Sequence, residues 1–203
     1  MTVEPDRSVV SDDARRYAEF STGVVGFVDR YDLWGPAQAA AVERIESLLP
    51  RLELIRVAYG DPHGLVRSKT LTVEAFRTAL RNGMDASPGP FVFDTGHAVA
   101  IDFFAAGGGI DVAELTGAGD FILVPDPLTF RVLPFEEAAV GWVIADEYLR
   151  DGTAHPLSSR AVLRRQLDRV AARSLDLLVG IELEWTLTRL LDGGRPVSIG
   201  GFG

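Results

Sequence analysis

The spacing of apolar and polar positions divides much of the chain into short strands. Residues 52–59 (LELIRVAY) alternate apolar and polar side chains, as a half-buried strand does. The turn-forming residues 60–64 (GDPHG) and the segment 65–71 (LVRSKTL) predict the return arm of a hairpin. Further short strands are predicted over four segments: 91–94, 98–103, 121–124 and 129–133. Together these elements predict an α+β module with a mixed sheet over residues 50–135.

Helices are predicted where apolar residues recur every three or four positions. One helix is predicted over residues 36–49, because Pro36 suits a first helical position and Pro50 ends the pattern. Thr72 is a good N-cap for another helix, which the Asn-Gly pair at residues 82–83 closes. Two more helices are predicted, from Ser11 to Phe20 and from Ser158 or Ser159 to about Arg173.

The C-terminal third contains a predicted strand, a helix and a second predicted strand. The first strand is predicted at residues 141–149 (GWVIADEYL) and the second at residues 177–189. This order indicates the start of a further α/β unit. The predicted organisation is therefore an N-terminal tail with helices, an α+β domain and a partial last domain, at residues 1–49, 50–135 and 136–203.

Glu182 and Glu184 occupy alternate positions of the last predicted strand, within the sequence VGIELEW. Alternate strand residues point to the same side of a sheet, so their Cα atoms are expected roughly 6.5 to 7 Å apart. Two adjacent carboxylates in an apolar setting resist ionisation, and a divalent cation relieves their repulsion. Oxygen ligands of this kind suit Mg²⁺ or Mn²⁺. The alternative is a strand with one solvent-exposed face, on which both acids are simply solvated.

Asp94 follows a predicted strand and precedes Thr-Gly-His. A carboxylate at such a strand end can act as a general base or as a polar anchor. The alternative is a β-turn, in which the aspartate side chain bonds the backbone two residues on. The glycine-rich segment 105–120 is longer than most ordered loops. It contains neither a Walker phosphate loop nor a dinucleotide-binding fingerprint.

Composition narrows the classes of function. The chain has 203 residues and a net charge of −9, which disfavours a general nucleic-acid binder. It has no cysteine, which excludes thiolate zinc sites, disulfides and a cysteine nucleophile. No apolar run approaches the ~18 residues that span a bilayer, and the acidic N-terminus lacks a signal-peptide core. We therefore expect a cytoplasmic protein with neither a membrane nor a nucleic-acid partner.

Taken in order, several segments resemble glutamine synthetase and the γ-glutamyl-amine ligases. The matching segments are 57–71 (VAYGDPHGLVRSKTL), 93–96 (FDTG), 119–127 (GDFILVPDP), 129–131 (TFR), 133–135 (LPF), 151–153 (DGT), 159–165 (SRAVLRR) and 180–185 (GIELEW). Their order and spacing match across about residues 50–190. The resemblance implies an α+β fold, with a β-grasp-like N-terminal domain followed by the first β-α-β elements of a glutamine-synthetase-type catalytic domain.

The resemblance also implies roles for individual residues. Glu182 and Glu184 match the Gly-x-Glu-x-Glu ligands of the active-site Mg²⁺ or Mn²⁺ ions. Asp94 matches the aspartate that binds the ammonium ion or amine and helps deprotonate it, in the active site of the neighbouring subunit of a ring. ATP is the implied co-substrate, which phosphorylates the γ-carboxylate of glutamate before the amine displaces phosphate. Thr-Gly-His follows Asp94, where ammonia-using members usually have Gly-Ser-Ser, and this favours an amine or another nucleophile as the acceptor.

Members of this family are more than twice as long as this chain. Their remaining metal ligands, nucleotide contacts and substrate-binding arginines lie beyond the part that matches. We therefore expect the N-terminal half of a split ligase, inactive alone and completed by a C-terminal-half polypeptide in a ring-type hetero-oligomer. Two alternatives stay open: a non-catalytic module that binds or regulates a full-length ligase, and a truncated fragment of an ordinary enzyme.

Overall fold

The computed structural model describes residues 25–134, 138–191, 193–194 and 196–198. The α-helices within these residues are α1 (Phe27–Arg30), α2 (Pro36–Leu48), α3 (Val73–Asn82) and α4 (Ser159–Ala171). The β-strands are β1 (Leu54–Gly60), β2 (Val66–Thr72), β3 (Met84–Ala86), β4 (Phe121–Pro125), β5 (Arg131–Val132), β6 (Val140–Tyr148), β7 (Thr188–Leu190) and β8 (Pro196–Ser198). The helix predicted over residues 11–20 lies outside the described residues.

The chain divides after Arg165 into two compact units. A six-stranded mixed sheet organises the first unit, with strand order β2-β1-β6-β4-β3 and with β5 paired to β6. β1 and β2 form the predicted antiparallel hairpin, in which Leu54 lies opposite Thr72. β1 and β6 run parallel, with Leu54 opposite Val140, whereas β4 is antiparallel to β6. Helices and a mixed sheet in one unit agree with the predicted α+β class.

β6 was predicted to belong to a separate domain that begins at residue 136. In the structure it pairs with β1, β4 and β5, all of which belong to the N-terminal sheet. Its buried apolar residues include Val140, Val143 and Ala145. The alternating pattern predicted the strand correctly, but the pattern of one strand carries no information about which distant strand it pairs with.

One hydrophobic core joins the sheet to α2 and α3. Its fully buried members include Ile55 and Val57 of β1, Phe76 of α3 and Phe121 of β4. Burying a side chain of this size stabilises the fold by about 1.5 to 3 kcal/mol. The core therefore fixes the central strands, and it also includes Phe91, Leu115 and Phe130 of the connections between strands.

α3 begins and ends at the predicted residues. Thr72 Oγ1 accepts a hydrogen bond from the N–H of Ala75 at 3.3 Å. Gly83 follows the last helical residue with a φ of 66°, in the left-handed region that favours glycine. A Cβ atom at position 83 would lie 2.3 Å from Cγ2 of Ile122. Glycine is therefore required there by backbone conformation and by the close approach of β4.

Thr72→Ala is expected to lower the free energy of unfolding by about 1 kcal/mol, because the N–H of Ala75 loses its acceptor. Urea unfolding followed by circular dichroism measures the change. Thr72→Ser retains a hydroxyl acceptor and is the matched control. An equal loss of stability in the serine variant would contradict the capping role.

Two of the predicted strands are wrong. Residues 91–94 and 98–103 form a loop, with one isolated bridge between Phe93 and Val99. β3, a strand of three residues that pairs with β4, was not predicted. β3 occupies the edge of β4, so this edge offers no further pairing to the loop. Within the described residues, five 3₁₀-helices make up much of the remaining connections: Leu49–Arg51, Gly89–Phe91, Ala106–Gly109, Ala113–Ala118 and Pro127–Thr129.

The second unit contains the C-terminal part of α4 and the antiparallel hairpin β7–β8. The strand predicted over residues 177–189 is wrong for most of its length, because residues 175–187 have no regular secondary structure. A strand needs a neighbour for its backbone N–H and C=O groups, and no other described strand pairs with this segment. Its apolar side chains are exposed, Leu178 almost completely at 99%. No helix within the described ranges is long and apolar enough to cross a membrane.

Candidate functional site

The loop that carries Asp94 is held by the carboxylate of Asp94 itself. Asp94 Oδ1 accepts hydrogen bonds from the N–H groups of Gly96 at 2.7 Å and Ala98 at 3.0 Å. The turn predicted as the alternative is therefore present. The Asp94 side chain is exposed, and Oδ2 has no hydrogen-bond partner in the described part of the chain. One carboxylate oxygen thus fixes the loop and the other stays available to a ligand.

Two side chains of the β1–β2 hairpin contact this loop. His63 Nε2 lies 2.7 Å from the carbonyl oxygen of Phe93. Because a carbonyl oxygen only accepts hydrogen bonds, the His63 proton must be on Nε2. The guanidinium carbon of Arg67 lies 5.6 Å from the centre of the Phe93 ring, within cation–π range. These roles could not be predicted from the sequence, since the two segments are 30 residues apart and no local pattern links them.

The buried side chain of Asp61 stabilises the turn of the β1–β2 hairpin through hydrogen bonds. Its Oδ1 accepts hydrogen bonds from the N–H groups of His63 at 3.0 Å and Leu65 at 2.9 Å, and its Oδ2 accepts one from Arg67 Nε at 2.8 Å. Burial raises the pKa of Asp61, but the hydrogen bonds from Leu65 and Arg67 outweigh burial and hold the pKa below its ordinary value of 3.8. An ionised Asp61 therefore orients both hairpin residues that contact the Asp94 loop.

A second group of buried polar side chains lies near the C-terminal end of β6. The Ser158 hydroxyl donates to Glu147 Oε2 at 2.5 Å and accepts from the N–H of Ala161 at 3.0 Å, which caps α4. Glu147 Oε1 is buried and has no hydrogen-bond partner in the residues described. Burial raises the pKa of Glu147 to about 7, although the Ser158 hydrogen bond lowers it. Glu147 is therefore a buried carboxyl group that titrates near neutral pH.

His155 is buried in the same region. Its ring stacks on Phe91, with centroids 4.7 Å apart and planes at 17°. Its Nδ1 accepts a hydrogen bond from the N–H of Leu157 at 3.2 Å. Burial lowers the pKa of His155 to about 4, while the carboxylate of Glu114 opposes this shift. His155 is therefore neutral at pH 7 and acts as a packing residue.

Two aspartates and two arginines fasten the first turns of α4 to the sheet. Asp126, which follows β4, and Asp146 of β6 each form ion pairs with both Arg160 and Arg164. The Asp146 carboxylate lies 2.6 Å from Arg160 Nε and 2.7 Å from Arg164 Nη1. Segments that carried the family resemblance, 119–127 and 159–165, therefore meet in space and have a structural function.

Glu182 and Glu184 lie on the irregular segment of the second unit, and both are exposed. Asp94 belongs to the first unit. In the described residues, no three His, Cys, Asp or Glu side chains are grouped so that they could hold a metal ion. The carboxylates supply the oxygen atoms that Mg²⁺ and Mn²⁺ prefer, but two such groups do not complete a coordination shell. The assignment of the two glutamates and Asp94 to a site stays a prediction.

No family model matches the sequence of this chain. A γ-glutamylanilide synthase from an Acinetobacter species is 33% identical to it over 183 residues, which cover 87% of this chain and 36% of that enzyme. The chain belongs to the glutamine synthetase family. It corresponds to an N-terminal portion of the family's proteins.

Other family relatives match in the same way. A γ-glutamylpolyamine synthetase from Streptomyces coelicolor is 30% identical over 141 residues, which are 68% of this chain and 28% of that protein. A glutamine synthetase from Methanosarcina mazei is 28% identical over 149 residues, which are 72% of this chain and 29% of that protein. The chain therefore spans about a third of the length of the curated relatives it matches.

Two solved structures are also similar. A structure of a GmaS/ADP complex has a TM-score of 0.46 and 22% identity, and the match covers 66% of this chain and 25% of that one. A crystal structure of a novel glutamine synthase homolog has a TM-score of 0.47 and 20% identity, with 60% and 27% covered.

Proposed function

We propose that this chain supplies the N-terminal part of an ATP-dependent carbon–nitrogen ligase of glutamine synthetase type. The ligase joins glutamate, or a related acid, to an amine through an acyl phosphate. The observation that carries the proposal is the 33% identity with γ-glutamylanilide synthase over 87% of this chain. The name of another relative, a polyamine synthetase, agrees with an amine acceptor, as does Thr-Gly-His after Asp94. A β-grasp-like arrangement of the N-terminal sheet is part of this proposal.

In this proposal, Asp94 contacts the amine. Its Oδ1 is occupied by the backbone of its own turn, and Oδ2 is left to accept a charge-assisted hydrogen bond from an ammonium group. The amine must lose a proton to attack the acyl carbon, and a carboxylate within hydrogen-bond reach can take that proton. As the carbon–nitrogen bond forms, the bond to phosphate breaks and phosphate leaves. The contacts from His63 and Arg67 support this role, because they hold the loop before the substrate binds.

Glu182 and Glu184 are proposed as ligands of Mg²⁺ or Mn²⁺. Their exposure leaves the carboxylate oxygens accessible, and the donor type fits these ions. When bound, the ion would neutralise charge on the phosphoryl group of ATP. Glu182 and Glu184 would bind the metal ion from one side, and ligands from outside this chain would complete the coordination shell.

A partner carrying the C-terminal portion of the family is also proposed, in a ring-type hetero-oligomer. Support comes from the exposed apolar side chains of the second unit, since large exposed apolar surfaces mark interaction sites. Their most exposed members are Leu178, Ile181, Leu183 and Trp185. In such a ring, Asp94 would serve the active site of a neighbouring subunit.

The test is an assay of phosphate release from ATP with glutamate, a panel of amines and Mg²⁺ or Mn²⁺. The chain is assayed alone and with a family protein that carries the C-terminal portion. We expect activity only in the mixture, together with a loss of Mn²⁺ affinity of about 10-fold or more in the Glu182→Gln variant. Asp176→Asn, which removes another exposed acid of the same segment, is the matched control.

Three outcomes would change the proposal. Activity of the chain alone would remove the need for a partner. A stable complex without phosphate release would identify a binding or regulatory module. Activity that appears only when the chain is extended within one polypeptide would identify a fragment of an ordinary ligase.

A further inference from the structure

A cleft of about 220 Å³ lies between α2 and the segment that connects β4 to β5. Its lining includes the buried apolar residues Ala41 and Ile45 of α2 and Phe130 of the connecting segment. Arg44 and Arg131 also line it, and both are exposed. The cleft therefore combines a buried apolar floor with two positively charged side chains that solvent can reach.

Neither arginine is paired with an acid in the described residues. Arg131 Nη1 donates to the carbonyl oxygens of Phe130 at 2.6 Å and Leu128 at 3.3 Å, which orients its guanidinium group at the cleft. No hydrogen bond or ion pair of the Arg44 guanidinium is formed with the described part of the chain. The cleft lies against the C-terminal half of α2, where the helix dipole is negative. Among the described residues that line the cleft, the two guanidinium groups are therefore the charged groups that would attract an anion.

A second cleft of the same volume provides a comparison within the molecule. It is lined by Arg77 and Arg81, but also by Asp29 and Glu46. Arg77 Nε donates to Glu46 Oε2 at 3.0 Å. The acids and bases of this second cleft are therefore equal in number. Of these two clefts, the Arg44–Arg131 cleft is the one with no acid among its described lining residues, in a chain whose net charge is −9.

We propose that the Arg44–Arg131 cleft binds a small organic carboxylate with an apolar body. The carboxylate accepts charge-assisted hydrogen bonds from both guanidinium groups, a geometry that suits arginine. The apolar body covers Ala41, Ile45 and Phe130 and removes their surface from water. Sites for drug-sized ligands usually measure about 300 to 1,000 Å³, so this cleft selects a smaller molecule. It uses none of the residues assigned to the ligase reaction.

Benzoate is the probe, and ligand-observed NMR titration of the whole chain at constant ionic strength measures its Kd. Arg44→Gln and Arg131→Gln are each expected to raise Kd by about tenfold or more. Arg165→Gln removes an exposed arginine of α4 outside the cleft and should leave Kd unchanged. Benzamide, the neutral isostere, and acetate, which lacks the apolar body, should each bind at least about tenfold more weakly than benzoate.

Three results would overturn the proposal. The first is no saturable benzoate binding at concentrations on the order of 10 mM. The second is an unchanged Kd in Arg44→Gln, and the third is equal affinity for benzamide. Loss of folding is not expected in Arg44→Gln, because the Arg44 guanidinium forms no hydrogen bond or ion pair with the described residues, and circular dichroism checks this point. Activity assays of the ligase are not involved, so this test and that of the proposed function fail independently.

Discussion

Glu147→Gln is expected to remove a pH-dependent loss of stability of about 3 kcal/mol. Burial raises the pKa of Glu147 from 4.5 to about 7. Between these values the folded chain keeps a proton that the unfolded chain has lost. The contribution of Glu147 to stability is therefore fully present below pH 4.5 and is lost as pH rises through about 7. Glutamine still bonds Ser158 and cannot ionise, so the variant should lack this loss.

His155 has the opposite dependence on pH. Burial lowers its pKa from 6.5 to about 4, so in this range the unfolded chain binds a proton that the folded chain excludes. The contribution of His155 is present above pH 6.5 and is lost as pH falls through about 4. Between pH 4.5 and 6.5 the two contributions therefore oppose each other in the wild-type chain.

Urea unfolding from pH 4 to pH 8 provides the measurement for both residues. Compared with wild type, Glu147→Gln should gain stability as pH rises, and His155→Gln should gain stability as pH falls. Each difference should change by about 3 kcal/mol across its window. Glu43→Gln, at an exposed carboxylate of α2, is the matched control. A difference between Glu147→Gln and wild type that does not vary with pH would show that Glu147 is ionised in the folded chain.

Asp94→Asn is expected to lower amine-dependent turnover of the assembled ligase by about 10²-fold or more. The amide cannot take the proton of the amine, but its oxygen can still accept the hydrogen bonds from Gly96 and Ala98. The loop should therefore keep its turn while the chemistry is lost. Phosphate release at varied amine concentration separates kcat from KM, and the loss should appear mainly in kcat.

Asp102→Asn is the matched control for this effect. Asp102 is exposed, and its Oδ1 caps a similar turn by accepting a hydrogen bond from the N–H of Phe104 at 2.9 Å. This variant should retain full turnover. Equal losses in the two variants would indicate a structural effect of the turns, and full activity of Asp94→Asn would exclude Asp94 as the base.

Local sequence patterns predicted the elements whose stability is local. α2, α3, α4 and the β1–β2 hairpin lie within a few residues of the predicted positions. The sequence signals for these elements act within four residues of the chain. They are a proline in a first helical turn, Thr72 and Ser158 as helix caps, and a Gly-rich hairpin turn. Such signals depend little on distant contacts, since each satisfies a backbone group or fixes a dihedral angle.

Predictions failed where a strand depended on a partner. Residues 91–94 and 177–189 have the apolar content of strands, but in the described structure the first segment forms a loop and most of the second is irregular. β3 has only three residues, too few to establish a pattern, and forms because β4 offers an unpaired edge. Strand formation is decided by pairing, and pairing partners are distant in sequence.

The sequence by itself determined the α+β class, the hairpin, the helix caps and the family to which the chain belongs. Each of these depends on residue types at fixed short spacings, or on the order of short segments along the chain. Only the tertiary structure decided that β6 lies within the N-terminal sheet, that His63 and Arg67 contact the Asp94 loop, and that Glu147 and His155 are buried. These features arise when segments that are distant in sequence pack together and exclude water. The residues next to a position in the sequence do not determine whether that position is buried.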